Sequence, residues 1–264
     1  METSLHRELK QRYAKSPDRC EVTMAGFRID AVVDDLLIEI QHGSLAAIRN
    51  KINKLLSKDY RVLIVKPLIV DKVLVKLDEK GGKVTSRRKS PKQEVELDLF
   101  HELVFFTHVF PHPNLTLEVP HVQIEEWRYP GHGRRRRWRK NDFQIDDQKL
   151  ISIVKTRRLK TVDDLWKLIR RPRKSPFHTG HLADLLGAPR WVAQRVAYCL
   201  REMGAIDVVG KEGNTQSGDF EISLLVLASI IIKSDGKIDS KELDFVRAQF
   251  VGMYGKERAN NTFN

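Results

Sequence analysis

The chain is poor in cysteine, with 2 in 264 residues. Cys20 and Cys199 stand far apart, so they supply neither a disulfide framework nor the clustered thiolates of a zinc site. A reducing cytoplasm is the compartment this composition implies. Long hydrophobic runs are missing too. The longest, residues 222–232, is too short to cross a bilayer as a helix. The N-terminal segment is too charged for a secretory signal. The third shortage is of acid: 35 Asp and Glu stand against 47 Lys and Arg, a formal net charge of +12. Beyond residue 216 six basic residues meet seven acidic ones, so the first 216 residues carry +13. A surplus of that size suits a polyanionic partner, and nucleic acid is the usual one. The length allows two or three small domains, and 41% hydrophobic residues allow a packed core.

Residues 26–66 organise the rest. Residues 28–33 and 36–40 are short runs of Ile, Val and Leu with Asp34-Asp35 between them, a β-hairpin pattern. Ala46, Ile48, Ile52, Leu55 and Leu56 then recur at helical spacing. Residues 61–65 form the near-continuous apolar run of a buried strand. The order is β-β-α-β. Asp30 lies early in the first strand, and Glu39 and Gln41 flank Ile40 at the end of the second. Side chains two apart on a strand share a face, and Asp30 can face them across the hairpin. Two carboxylates and an amide converging on a sheet edge make a hard-oxygen site suited to Mg²⁺ or Mn²⁺. Such an ion polarises phosphate oxygens and lowers the pKa of a bound water. On an open face the same residues would merely be solvated.

This stretch resembles the core of PD-(D/E)XK nucleases. That pattern is a helix with an acid, an Asp, a hairpin, and Glu-x-Lys before a helix. Here Glu8 lies in an amphipathic helix over residues 5–13, Asp30 follows Arg28-Ile29, and Glu39-Ile40-Gln41 fills the Glu-x-Lys slot. The resemblance implies an α/β restriction-endonuclease-like core over residues 1–130. Asp30, Glu39 and the Ile40 carbonyl would hold the metal, and Glu8 would be an outer carboxylate. Gln41 departs from the usual Lys, as in some restriction-type members, and an amide cannot act as a base. Activation of water would then fall to the metal, or to Lys51 or Lys54 on the next helix.

Further on, residues 70–77 alternate as a strand, residues 84–92 read as a basic loop, and residues 94–110 as a buried helix or helix pair. Residues 115–127 read as one or two strands, with Pro120 at an edge or bulge. His101, His108, His112 and His121 have no closed zinc-motif spacing and read as core or loop residues.

A basic arm spans residues 131–144. Its run Arg134, Arg135, Arg136, Arg137, Trp138, Arg139, Lys140 cannot be buried unpaired, and it suits phosphate contacts with Trp138 stacking on a base. Residues 145–214 read as a separate module, opening with helices over 146–154 and 161–171. Leu182, Leu185 and Leu186 give a short helix, Gly187-Ala188-Pro189 a turn, and Val192, Val196, Cys199 and Leu200 the buried face of the next helix. A strand over 206–209 follows. That order resembles a winged helix, whose second helix would offer Arg190, Gln194, Arg195 and Arg201, with Trp191, to a DNA groove or to a protein. Residues 217–264 resemble the opening helical pair of TerB-like domains and imply a protein partner. Together these features lead to the expectation of a Mg²⁺-dependent DNA endonuclease, with double-stranded DNA as partner and a homodimer suited to cutting both strands. The rival expectations are an inactive DNA-binding regulator and a stress or defence scaffold acting through residues 217–264.

Overall fold

The computed structural model describes residues 2–14, 16, 19–131, 142–169, 172, 176–208 and 210. The chain divides into two compact units, Met1–Ile169 and Arg170–Asn264. The first is mixed α/β, built on one eight-stranded mixed sheet.

Helix α1 (Ser4–Ala14) leads into three antiparallel strands, β1 (Cys20–Met24), β2 (Phe27–Val33) and β3 (Leu36–Ile40). Asp34 turns the β2–β3 hairpin at φ 54°, a left-handed conformation that Asp tolerates better than most residues. A 3₁₀ turn (Leu45–Ala47), opened by the Ser44 hydroxyl, precedes α2 (Arg49–Leu56). Strand β4 (Arg61–Val65) then runs parallel to β3. The hairpin, the helix and the buried strand all fall where the apolar spacing puts them.

Strand β5 (Leu68–Leu77) continues β4 almost without a break. Both lie parallel to β7 (Leu115–Pro130): Val62 stands opposite Leu115 and Leu68 opposite His121, the same offset of 53 residues. At Lys66-Pro67 the other neighbour changes, from β3 on β4 to the antiparallel β6 (Val84–Lys89) on β5. The sheet therefore forks at this point, beside the C-terminal end of β3. Pro120 sits in the middle of β7, between the residues paired with β4 and those paired with β5, where a missing N–H is tolerated. Residues 84–89, expected as a loop, form β6; all six are exposed, so no apolar alternation marks the strand. In the stretch expected to be helical, residues 96–98 form a 3₁₀ turn and α3 (Leu99–Leu103) one helical turn.

Residues 146–154 are not a helix but part of β8 (Phe143–Leu159), which lies antiparallel along β7. Three irregularities on the ladder leave Asp146, Ile151 and Val154 without a direct opposite. Each extra residue shifts the period-2 pattern by one, so Leu150, Ile151, Ile153 and Val154 take on a helical spacing in the sequence. A domain boundary at residue 145 thus falls inside the β7–β8 ribbon. The capping box of Thr161 and Asp164 does open α4 (Val162–Trp166).

Leu5 and Leu9 of α1 pack on Ala31, Ile38, Ile40, Leu63, Val65 and Val122. Alternation sends Glu39 and Ile64 to the opposite face, and the α2 residue Lys51 reaches Glu39 there. The N-terminus of α1 is capped from far along the chain. Ser4 donates its backbone N–H to Asp147 Oδ1 at 2.8 Å and its hydroxyl to Oδ2 at 2.6 Å.

In the second unit, α5 (Thr179–Leu186) ends at Gly187 with φ 58°, and α6 (Arg190–Glu202) buries Val192, Val196, Cys199 and Leu200 as expected. Residues 206–208 form no strand, and Val209 lies outside the described residues. So do the basic run 134–140 and the segment 217–264. Among the described residues, no helix is long and apolar enough to cross a membrane.

Candidate functional site

The β2–β3 ladder pairs as far as Ala31 opposite Ile38. One step further Asp30 takes the place of the ladder, and its Oδ2 accepts from the Ile40 N–H at 2.8 Å. His6, on the first turn of α1, closes this open end. Its Nε2 stands 3.0 Å from the Ile40 carbonyl and 3.4 Å from Asp30 Oδ2, and its Nδ1 stands 2.7 Å from a Glu2 carboxylate oxygen. Both ring nitrogens face acceptors only, so both carry protons. Asp30 above all raises the His6 pKa to about 9, burial opposing it and Glu2 adding to it. Burial would raise the Asp30 carboxyl, but His6 and the Ile40 amide outweigh it and hold its pKa below the ordinary value.

Glu39 meets a different field. It is buried, and burial raises its pKa against the pull of Lys51. Lys51 Nζ lies 2.7 Å from both carboxylate oxygens and also donates to the Arg28 carbonyl. Of the two lysines considered on α2, Lys51 is the one at the site; Lys54 lies over the Phe27 ring, 5.9 Å from its centroid. Gln41 donates its backbone N–H to Val65 O at 2.9 Å and its side-chain Nε2 to Ser44 O at 2.6 Å, so its amide is spent on its own loop. Lys66 is buried and holds that loop by donating to the carbonyls of His42 at 3.0 Å and Gly43 at 2.6 Å. Burial first and Lys66 second lower the His42 pKa below its ordinary value.

Glu8 makes no hydrogen bond or ion pair with Asp30, Glu39 or Lys51 among the described residues. Helix positions two apart point in different directions, and His6 already faces the site. Sequence reasoning missed His6 because its partners are Glu2, Asp30 and the Ile40 carbonyl, two of them more than twenty residues away. The donor set of Asp30, Glu39 and a backbone carbonyl fits a hard divalent cation in kind. The places beside these oxygens are taken by the His6 and Lys51 cations. Among the described residues, no group of three or more His, Cys, Asp or Glu side chains stands ready to hold a metal.

A family model described as "Domain of unknown function (DUF8091)" matches residues 3–160, from α1 to the end of β8. The chain belongs to that family. A 153-residue stretch of the chain is 28% identical to an uncharacterized protein of Treponema pallidum (strain Nichols), covering 58% of this chain and 59% of that protein. The match thus spans little more than half of the relative's length. No solved structure matches.

The DUF8091 sheet holds a second polar cluster that the sequence did not announce. Glu126, on β7, is 2% exposed and accepts from Lys72 Nζ and Gln148 Nε2, each at 3.0 Å, and from Arg128. Burial would raise its pKa, but these three donors hold it below the ordinary value. Outside the family match, α6 exposes Arg190, Gln194 and Arg195, with Arg195 5.0 Å from the Trp191 ring centroid. Arg190, Trp191, Gln194 and Arg195 are thus exposed on α6, and Arg201 pairs with Glu202.

Proposed function

We propose that this protein is a metal-dependent nuclease that hydrolyses phosphodiester bonds at Asp30 and Glu39. The observation that carries the reading is the pairing of these two carboxylates at the open end of the β2–β3 ladder, with Lys51 Nζ 2.7 Å from both oxygens of Glu39. The helix, hairpin, helix and parallel strand follow the order that the PD-(D/E)XK resemblance implies. Asp30, Glu39 and the Ile40 carbonyl would hold Mg²⁺ or Mn²⁺. When bound, the ion supplies charge neutralisation at phosphate and an acidified water.

The chain's own residues divide the remaining work. Lys51 orients the attacking water and offsets negative charge gathering on the phosphoryl oxygens, the task that Lys at position 41 would otherwise perform. Gln41 fixes the loop after β3. Water oxygen bonds to phosphorus as the water gives up a proton to solvent, the P–O bond to the leaving nucleotide breaks, and the leaving oxygen takes up a proton from solvent. The basic run Arg134–Lys140, in the connection between β7 and β8, and the α6 face supply phosphate contacts away from the reacting bond.

The test is incubation with supercoiled plasmid in Mg²⁺, Mn²⁺ or chelator, with Glu39→Ala alongside. Nicking that requires the metal and disappears in the variant is expected. Equal nicking by the variant would overturn the site. A second reading, a DNA-binding regulator without catalysis, is favoured by one observation: the Gln41 amide is committed to Ser44 O. It predicts salt-sensitive DNA binding with no cleavage in either metal.

A further inference from the structure

Directly opposite residues in a sheet share a face, and the ladders put one set of cations on one side. Lys72 stands opposite Ile124, Leu74 opposite Glu126, and Lys76 opposite Arg128; Arg88 of β6 stands opposite Leu74, and Ser86 opposite Lys76. Residues 122, 124, 126 and 128 of β7 alternate onto a single face, and Val122 and Ile124 pack in the core beneath α1. Lys72, Lys76, Arg88 and Arg128 therefore all lie on the face that α1 covers. The cover ends at the α1 N-terminus, which Asp147 holds beside Trp127.

Just beyond that end is a cleft of about 600 Å³, lined by Lys76, Ser86, Arg88, Arg128, Tyr129 and Phe143 among others. Asp142 is the one acid among its lining residues. Among the described residues, neither Lys76 nor Arg88 has an acidic partner. Arg128 is held in place: it bonds the buried Glu126 through Nε and stacks 3.8 Å from the Phe143 ring centroid. That leaves its Nη1 donors for a further acceptor. Glu126 is shared by Lys72 and Arg128, so this network keeps one net positive charge. The aromatic ring is already covered by a guanidinium, which favours phosphate over base as the group recognised.

We propose that this cleft binds the sugar–phosphate backbone of a nucleic acid, with Lys76, Arg88 and Arg128 as the phosphate contacts. Resting on the nuclease reading, it is the track that feeds substrate to Asp30. Ser4, bonded to the Asp147 that stands opposite Trp127, and His6 at Asp30 lie within one turn of α1. Contacts of this kind carry no sequence information, so the cleft sets affinity and register rather than choice of site.

The test uses the full chain, a short labelled duplex and a salt series in chelator, read by fluorescence anisotropy. Two phosphate contacts at a slope of about 0.9 each correspond to about 60-fold in affinity between 1 M and 0.1 M salt. Lys76→Glu with Arg88→Glu should therefore weaken binding by up to about 60-fold at 0.1 M salt. The double variant should also flatten the salt slope by about two, equally for unrelated sequences. Unchanged affinity and slope would overturn the proposal. If the double variant melts earlier than the wild type, Lys76→Gln with Arg88→Gln answers the same question. ATP is the competitor that separates two sources of phosphate. ATP binding as tight as the duplex, and lost with it in the variant, would assign the cleft to free nucleotides and overturn the backbone reading. The two proposals fail separately. Charge-sensitive binding without nicking removes the nuclease and keeps the cleft; nicking by a chain whose binding ignores Lys76 and Arg88 does the reverse.

Discussion

His6 makes the stability of this fold depend on alkaline pH in a way that can be worked out from its contacts. In the unfolded chain its pKa returns to the ordinary 6.5, and in the folded chain Asp30 and Glu2 lift it to about 9. A group whose folded pKa is raised stabilises the fold fully below its unfolded pKa and loses that contribution as pH rises through the folded one. The window is therefore pH 6.5 to about 9. With about 1.4 kcal/mol per pH unit, the contribution is at most about 3.5 kcal/mol. The partial exposure of the ring pulls it lower. Denaturant unfolding of the wild type and of His6→Gln across this range isolates it, since other titrating groups cancel in the difference. The wild type should be the more stable by about 2–3 kcal/mol near pH 6, with the gap mostly closed near pH 10. A gap that does not change with pH would refute the imidazolium bridge between Glu2, Asp30 and the Ile40 carbonyl.

Two further outcomes follow from named contacts. Asp147→Ala removes the remote cap of α1 and should cost about 1 kcal/mol, read as a lower denaturant midpoint; an unchanged midpoint would mean that the Ser4 contact contributes nothing. Lys51→Ala should abolish metal-dependent nicking while Lys54→Ala leaves it intact, since Lys51 lies on Glu39 and Lys54 on the Phe27 ring; equal loss in both would deny Lys51 its special place.

The parts of the fold legible in the sequence are those where a local pattern meets a single packing face. The hairpin about Asp34-Asp35, the parallel strand β4 and the buried stripe Val192, Val196, Cys199 and Leu200 of α6 are all of this kind. Strand β8 was hidden because its ladder irregularities break alternation, and β6 because none of its residues is buried. At the candidate site, strand spacing marked Asp30 and Glu39, and the PD-(D/E)XK resemblance offered Lys51 and Lys54 without choosing between them. His6 was not, because what makes it a site residue is the approach of α1 to the end of β3, a contact between segments with no shared periodicity. Glu126 was hidden for a similar reason: a buried acid is indistinguishable in sequence from a solvated one until Lys72 and Gln148 are brought against it.

The fork at Lys66-Pro67 has a consequence for the length of the chain. β4 and the first two residues of β5 share an offset of 53 residues along β7, which drops to 52 from Asp71 after the irregularity at Val70, so the phase of β5 depends on the residue count at the fork. Lys66 and Pro67 act as a spacer whose count matters more than its chemistry. Deleting one would leave Glu39, Ile64 and Lys51 as they are while turning every side chain of β5 over. Lys72 and Lys76 would then face away from α1, and Glu126 would lose its lysine. The turn at residues 78–83, by contrast, sets the register of β6 on β5 and leaves the phase of β5 on β7 untouched.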